Sequence, residues 1–226
     1  MAYILSIDTA MQSASVSLSK NGVLLHELNN RDAKDHGSFL QPAILKVVEI
    51  AGITLQQIDA VAVTEGPGSY TGLRVGMAAA KGLCFALNKP LITINTLEAL
   101  AATALGEVNV DASTIICPMI DARRMEVYTA LYKNDLTNLL EPHALVLNTG
   151  SFEKYFSTYK ILFVGSGASK WSNICESARA VDFQNIEIKA EILNNLSYKK
   201  YNSNNFADIA YAEPFYLKEF FSETPK

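Results

Sequence analysis

The apolar positions of this chain change period several times, and each change marks an element. Tyr3 to Asp8 is an almost continuous apolar run ending on an acid, and Ser13 to Ser19 alternates apolar with polar, so both are strand patterns. Asn21-Gly22 is a dipeptide that closes tight hairpins, and Val23 to Leu28 is the strand it leads into. From His36 the spacing turns helical. Phe39, Leu40, Ile44, Val47, Val48 and Ala51 fall on one side, and Gly52 ends the helix. Ile58 to Thr64 is a buried strand, followed by the loop Glu65-Gly66-Pro67-Gly68-Ser69-Tyr70 and a long helix from about Thr71 to Leu87, stopped by Asn88 and Pro90. A strand at Leu91 to Ile94 and a short helix through Leu97, Leu100 and Ala101 complete the order βββαβαβα.

The same order then starts again. Ile7-Asp8-Thr9 through Val16-Ser17-Leu18 recur as Ile120-Asp121-Ala122 through Thr129-Ala130-Leu131, an offset of 113 residues (121 minus 8). Strands are expected at Thr114 to Ile120, Glu126 to Tyr132 and near Ala144 to Leu147, with a turn at Lys133-Asn134-Asp135. A helix from about Ser151, a strand at Ile161 to Val164, the turn Gly165-Ser166-Gly167 and a helix from near Ser169 follow. Beyond Trp171 the pattern weakens, and Asn194 to Asn205 reads as a polar helix end plus loop. Ala212 to Leu217 is too apolar for a free tail. The polar stretch Gly106 to Ser113 marks the boundary, giving lobes at 1–108 and 109–226. A duplicated βββαβα unit predicts an α/β protein of the two-lobed actin-like, sugar-kinase and Hsp70 ATPase (ASKHA) class, which binds nucleotide between its halves. One aspartate, Asp8 or Asp121, would stand at each lip of that cleft.

Composition narrows the function. With 49% hydrophobic and 19% charged residues the chain is of ordinary globular make-up, and its net charge of −4 disfavours holding nucleic acid unaided. Cys84, Cys117 and Cys175 are odd in number and far apart, which fits neither a disulfide framework nor a CxxC site and points to a reducing cytoplasm. The N-terminus has no basic segment before an apolar core, and the longest apolar region is broken by Arg74, Lys81, Lys89 and Pro90, so neither a signal peptide nor a membrane span is expected.

The turns decide whether nucleotide can be held. In this class a glycine-rich turn follows the first strand, because glycine lets backbone N–H groups approach a phosphate. Here the turns are Asp8-Thr9-Ala10-Met11-Gln12-Ser13 and Asp121-Ala122-Arg123-Arg124-Met125, both without glycine. Asp8 and Asp121 are either catalytic or metal-binding carboxylates or caps of their turns. Arg123 and Arg124 suit a phosphate or a partner's carboxylate, or simply solvent. The loop from Gly66 through Gly68 and Ser69 to Arg74 could meet an anion at a helix start, and equally could be a sharp strand-to-helix turn. Gly165 and Gly167 could touch an adenine or merely turn the chain. Behind the loop, Gly72, Gly76 and Ala80 recur every four residues beside Ala79 and Gly82, making either a close-packed inner face or an interface. His26, His36 and His143 lack metal-type spacing, and no Gly-x-Ser-x-Gly elbow is present.

Three segments together, Ile7-Asp8-Thr9, Gly66-Pro67-Gly68-Ser69-Tyr70-Thr71-Gly72-Leu73-Arg74-Val75-Gly76 and Ile120-Asp121-Ala122-Arg123-Arg124-Met125-Glu126-Val127-Tyr128, resemble the TsaB (YeaZ) family. The resemblance implies a part in making threonylcarbamoyladenosine at position 37 of tRNA, beside the paralogous transferase TsaD and the small ATPase TsaE. It also implies a homodimer when the chain is alone, and contact with tRNA only through the complex. In TsaD an Asn-His-x-x-x-His segment holds metal; the matching positions here are Asn95, Thr96 and Leu100, and neither Thr96 nor Leu100 is a comparable ligand. The expectation is a non-catalytic scaffold with no cofactor, no metal and no catalytic residue. Its partner interface would include Phe39, Leu40, Ala43, Gly72, Val75, Gly76 and Ala79. Residual nucleotide contacts would come from Asp8, Thr9, Gly66, Gly68, Ser69, Arg74, Asp121, Arg123, Gly165 and Gly167. The alternatives are an active small-molecule kinase or ATPase of the same fold, opposed by the glycine-free turns, and a glycoprotease-type metallopeptidase, opposed by Thr96 and Leu100.

Overall fold

A computed structural model describes residues 1–31, 36–177 and 180–218. The first half forms β1 (Tyr3–Asp8), β2 (Ala14–Lys20), β3 (Val23–Asn30), α1 (His36–Ile50), β4 (Ala60–Gly66), α2 (Tyr70–Leu87), β5 (Leu91–Asn95) and α3 (Thr96–Glu107). The second forms β6 (Thr114–Asp121), β7 (Glu126–Tyr132), β8 (Asn138–Val146), α4 (Glu153–Phe156), β9 (Lys160–Val164), α5 (Ala168–Ser172), β10 (Ala180–Gln184) and α6 (Ala190–Asn202).

The repeat is real in three dimensions. One sheet has the order β3-β2-β1-β4-β5 and the other β8-β7-β6-β9-β10, so the first strand of each unit is central in both. In each sheet that strand pairs antiparallel with the next and parallel with the fourth. Asn21 and Gly22 close the first hairpin with φ of 53° and 82°, the positive values that this two-residue turn demands. This is the α/β, duplicated architecture expected from the sequence.

Strand alternation explains the layering. Leu5, Ile7, Val16, Leu18, Val61 and Val63 face α1 and α2 on the outer side of the first sheet. Ile4, Ala60, Ala62, Ile92 and Ile94 face the other way and pack on Leu193 and Leu196 of α6. Helix α3 buries Leu97, Leu100, Ala101 and Ala104 on Ile116, Ile120, Ala130, Leu162 and Val164 of the second sheet. Helices α3 and α6 thus form a shared layer between the two sheets, each packing on the sheet of the other half.

The structure departs from the sequence reading at several elements. Strand β10 was not anticipated, β8 starts at Asn138 rather than near Ala144, and α3 continues to Glu107, through Gly106. The largest correction is α6. Its inner face holds Ala190, Leu193, Asn194, Leu196 and Ser197, all buried, and two of the five are polar. Asn194 Oδ1 accepts from Ser17 Oγ at 3.1 Å, and Ser197 Oγ donates to the Leu193 carbonyl at 2.7 Å. Asn194 Nδ2 is buried without a partner among the described residues, so the satisfaction is partial, but polar residues at core positions still erase the helical period that hydropathy detects.

Candidate functional site

The turn after β1 and the start of α2 are clasped together. Thr9 is fully buried, and its Oγ1 donates to the Gly72 carbonyl at 2.7 Å. The backbone N–H of Ser69 donates to the Ala10 carbonyl at 2.7 Å. A Cβ at Gly68 would lie 2.1 Å from that carbonyl oxygen, one at Gly72 2.1 Å from the Thr9 carbonyl oxygen, and one at Gly76 2.2 Å from Thr9 Oγ1. No side chain can enter at these distances, so the glycines are required by the protein's own turn. Asp8 is buried beneath it, accepting from Thr64 Oγ1 at 2.7 Å and from the Ala10 N–H at 3.0 Å. Gly66, at φ 119°, passes against the Phe215 carbonyl oxygen, 2.7 Å from where its Cβ would be.

The equivalent turn after β6 is open. Asp121 is exposed and accepts from the Arg123 N–H at 2.6 Å and from Lys170 Nζ at 2.7 Å, while its own N–H donates to Ser166 Oγ at 3.1 Å. Arg123 and Arg124 both have left-handed backbones, φ 69° and 48°, which cost about 1–2 kcal/mol each in a side-chain-bearing residue. The two amides that could meet an adenine or phosphate in the neighbouring turn are already engaged. Gly165 N–H donates to the Gln184 carbonyl at 2.8 Å and Gly167 N–H to the Met119 carbonyl at 2.9 Å. A Cβ at either position would come within 2.6 Å of Met119 O or 2.8 Å of Val127 Cγ1. Gly165 and Gly167 are therefore packing residues.

Of the residues marked for nucleotide, the structure brings Asp8, Thr9, Gly68 and Ser69 together, but to one another. Arg74 lies on the outside of α2, its guanidinium 4.5 Å above the Tyr70 ring and its Nε donating to Tyr216 Oη at 3.2 Å. Tyr70 and Tyr216 stack with centroids 5.1 Å apart. The apolar segment near the C-terminus is thus tied across the start of α2, helped by the Phe215 N–H to Glu65 carbonyl bond of 2.7 Å and by Lys81 Nζ on the Ala212 carbonyl.

The interface residues divide in the same way. Leu40, Ala43, Gly72 and Gly76 are buried within the chain, whereas Phe39, Val75 and Ala79 are half-buried. The outward face of the α1–α2 pair carries Pro42, Leu45, Ala78, Gly82, Phe85 and Ala86 instead. Leu45 is 59% exposed and Phe85 84%. The signal for it was present, since Ala78, Gly82 and Ala86 also recur every four residues, two positions out of phase with Gly72, Gly76 and Ala80.

Residues 23–207 match the family model of TsaD, the tRNA N6-adenosine threonylcarbamoyltransferase. The chain is 31% identical over 176 residues to the tRNA threonylcarbamoyladenosine biosynthesis protein TsaB of Bacillus subtilis, covering 76% of this chain and 75% of that one. The chain belongs to the TsaB family. Against Escherichia coli TsaB the identity is 28% over 221 residues, covering 95% and 94% of the two chains. A Pseudomonas aeruginosa protein described as similar to peptidase YeaZ superposes with a TM-score of 0.82 at 24% identity, over 96% of this chain and all of that one, and so shares the fold. In this TsaB-family chain Thr96 and Leu100 are both fully buried, Leu100 in the apolar core between α3 and the second sheet. Among the described residues no group of three or more His, Cys, Asp or Glu is placed to hold a metal ion, and no helix is long and apolar enough to cross a membrane.

Proposed function

We propose that this chain is a structural, non-catalytic subunit of the tRNA threonylcarbamoyladenosine machinery, which pairs with a TsaD-like transferase through the outward face of α1 and α2. The observation that carries this reading is that face: a pair of helices presenting Leu45, Ala78, Gly82 and Phe85 to the outside on a rigid, well-packed base. Small residues along α2 let a partner helix approach closely, and exposed Leu45 and Phe85 supply apolar area to bury. The same face would join two copies when the transferase is absent, and a TsaE-like ATPase would join the hetero-pair. The clasped turn after Asp8 and the engaged amides of Gly165 and Gly167 support a subunit that holds no nucleotide of its own. The acidic net charge supports tRNA contact through the complex, and the three dispersed cysteines support a cytoplasmic setting.

The test is a reconstituted modification assay with TsaD and TsaE. Asp121→Ala should assemble normally and keep the wild-type rate, because Asp121 orients a turn and pairs with Lys170. Removal of a true general acid or base lowers rate by about 10²–10⁴-fold. A loss of that size in a variant that still assembles would refute the non-catalytic assignment.

A further inference from the structure

Between the first turn of α3, the end of β4 and the β7–β8 hairpin lies a cavity of about 310 Å³, at the small end of the roughly 300–1,000 Å³ of ligand pockets. Three carboxylates from three elements line it: Glu65 from β4, Glu98 from α3 and Glu141 from β8. None of the three forms an ion pair among the described residues, and no lysine or arginine lines the cavity. Asn138 Nδ2 donates to Glu141 Oε2 at 3.1 Å and so fixes one carboxylate at the wall.

The second, independent observation is Tyr132. It lines the same cavity and is only 3% exposed, yet its hydroxyl has no hydrogen-bond partner among the described residues and is not sealed away as an orphan in the core. Burial first, then the fields of Glu98 and Glu141, push the phenol well above its ordinary range, so it is held as a neutral hydroxyl. The hydroxyl reaches accessible space unpartnered among the described residues, and a ligand in the cavity can bond it. Leu136, Pro142 and Phe215 add apolar surface suited to methylenes, and Asn95 is the remaining lining residue.

We propose that this cavity binds a small organic cation, a protonated alkylamine or alkylguanidine. Its charged end would sit among Glu65, Glu98 and Glu141 with Tyr132 Oη alongside, and its carbon chain against Leu136 and Phe215. A bare divalent ion does not fit, because the carboxylates do not converge into a metal-type cluster.

The full chain is titrated by calorimetry at neutral pH with agmatine and with spermidine, and in parallel with butane-1,4-diol and with magnesium chloride. Both amines should bind saturably and the diol and magnesium should not. Glu98→Gln with Glu141→Gln should weaken amine binding at least about tenfold, as for loss of a charged hydrogen bond. Glu141→Gln alone, at an exposed position, guards against misfolding of the double variant and should weaken it by a smaller factor. Tyr132→Phe should weaken it as well while leaving the thermal midpoint near that of the wild type. No saturable amine binding, equal binding of magnesium, or amine binding that survives both glutamine substitutions would overturn the proposal.

Discussion

The two faces of α2 use the same small residues for opposite ends. Gly72, Gly76 and Ala80 look inward, and a Cβ at Gly76 would collide with Thr9 Oγ1 at 2.2 Å. Ala78, Gly82 and Ala86 look outward, and a Cβ at Gly82 would meet nothing within 4 Å. A glycine every four residues therefore says that something must come close, but not from which side. On the inner face the close neighbour is the chain's own turn after Asp8. On the outer face there is only room, which a partner helix could use.

The largest effect expected from this contrast is at Gly76. Gly76→Arg forces a charged side chain into the clasp between α2 and Thr9 and should cost more than about 5 kcal/mol, enough to unfold a domain at the lower end of the roughly 5–15 kcal/mol that holds domains together. Loss of the cooperative denaturation transition would show it. A folded Gly76→Arg protein would mean that the inner face is not packed as described.

A gentler pair sharpens the comparison by sign. Gly76→Ala should destabilise by about 1–3 kcal/mol through overpacking, whereas Gly82→Ala should stabilise by about 0.5–1 kcal/mol through helix propensity. Urea titrations of the two variants should move in opposite directions. Movement in the same direction would remove the distinction between the faces.

The smallest signal comes from the thiols. Cys84 is on the inner face of α2, and burial pushes its pKa up to about 11, against a small opposing effect of the Val61 backbone. Cys117, in the second sheet, is pushed up to about 12 for the same reason, opposed by the Thr129 hydroxyl. Both stay protonated at neutral pH and should resist a thiol reagent until the protein unfolds, while the half-buried Cys175 reacts first. Fast labelling of Cys84 in the native protein would contradict the packing of that face.

How much of this was legible beforehand depends on where each element keeps its polar atoms. The central strands, the Asn21-Gly22 hairpin, α1 and α2 were readable because their buried faces are apolar and their ends carry Gly, Asn or Pro. Helix α6 was not, because the polar residues Asn194 and Ser197 occupy core positions. Strand β10 was missed because nothing beyond Trp171 has a clear period. At the candidate site, the sequence showed that both turns lack glycine, and the family resemblance implied that Thr96 and Leu100 stand where a relative carries metal-binding histidines. It could not show that the glycines of the Gly66–Arg74 loop serve the turn after Asp8, since that contact joins residues about 60 positions apart in the chain. Nor could hydropathy tell which of two small-residue stripes on α2 faces inward, because alanine and glycine are equally at home on either side. Tyr132 and Glu98 drew no notice as a pair, being brought together only by the packing of α3 on the second sheet.

The central claim, that the outward α1–α2 face pairs this chain with its transferase, is tested most directly by analytical ultracentrifugation of Gly82→Arg, alone and mixed with TsaD. A Cβ at position 82 meets nothing within 4 Å among the described residues and the position is exposed, so the variant should fold with a wild-type melting curve. It should nonetheless sediment as a monomer and fail to form the hetero-pair, because an unpaired charge in an apolar contact costs several kcal/mol, on the order of 3–5. Wild-type sedimentation of the folded variant in both experiments would contradict the account.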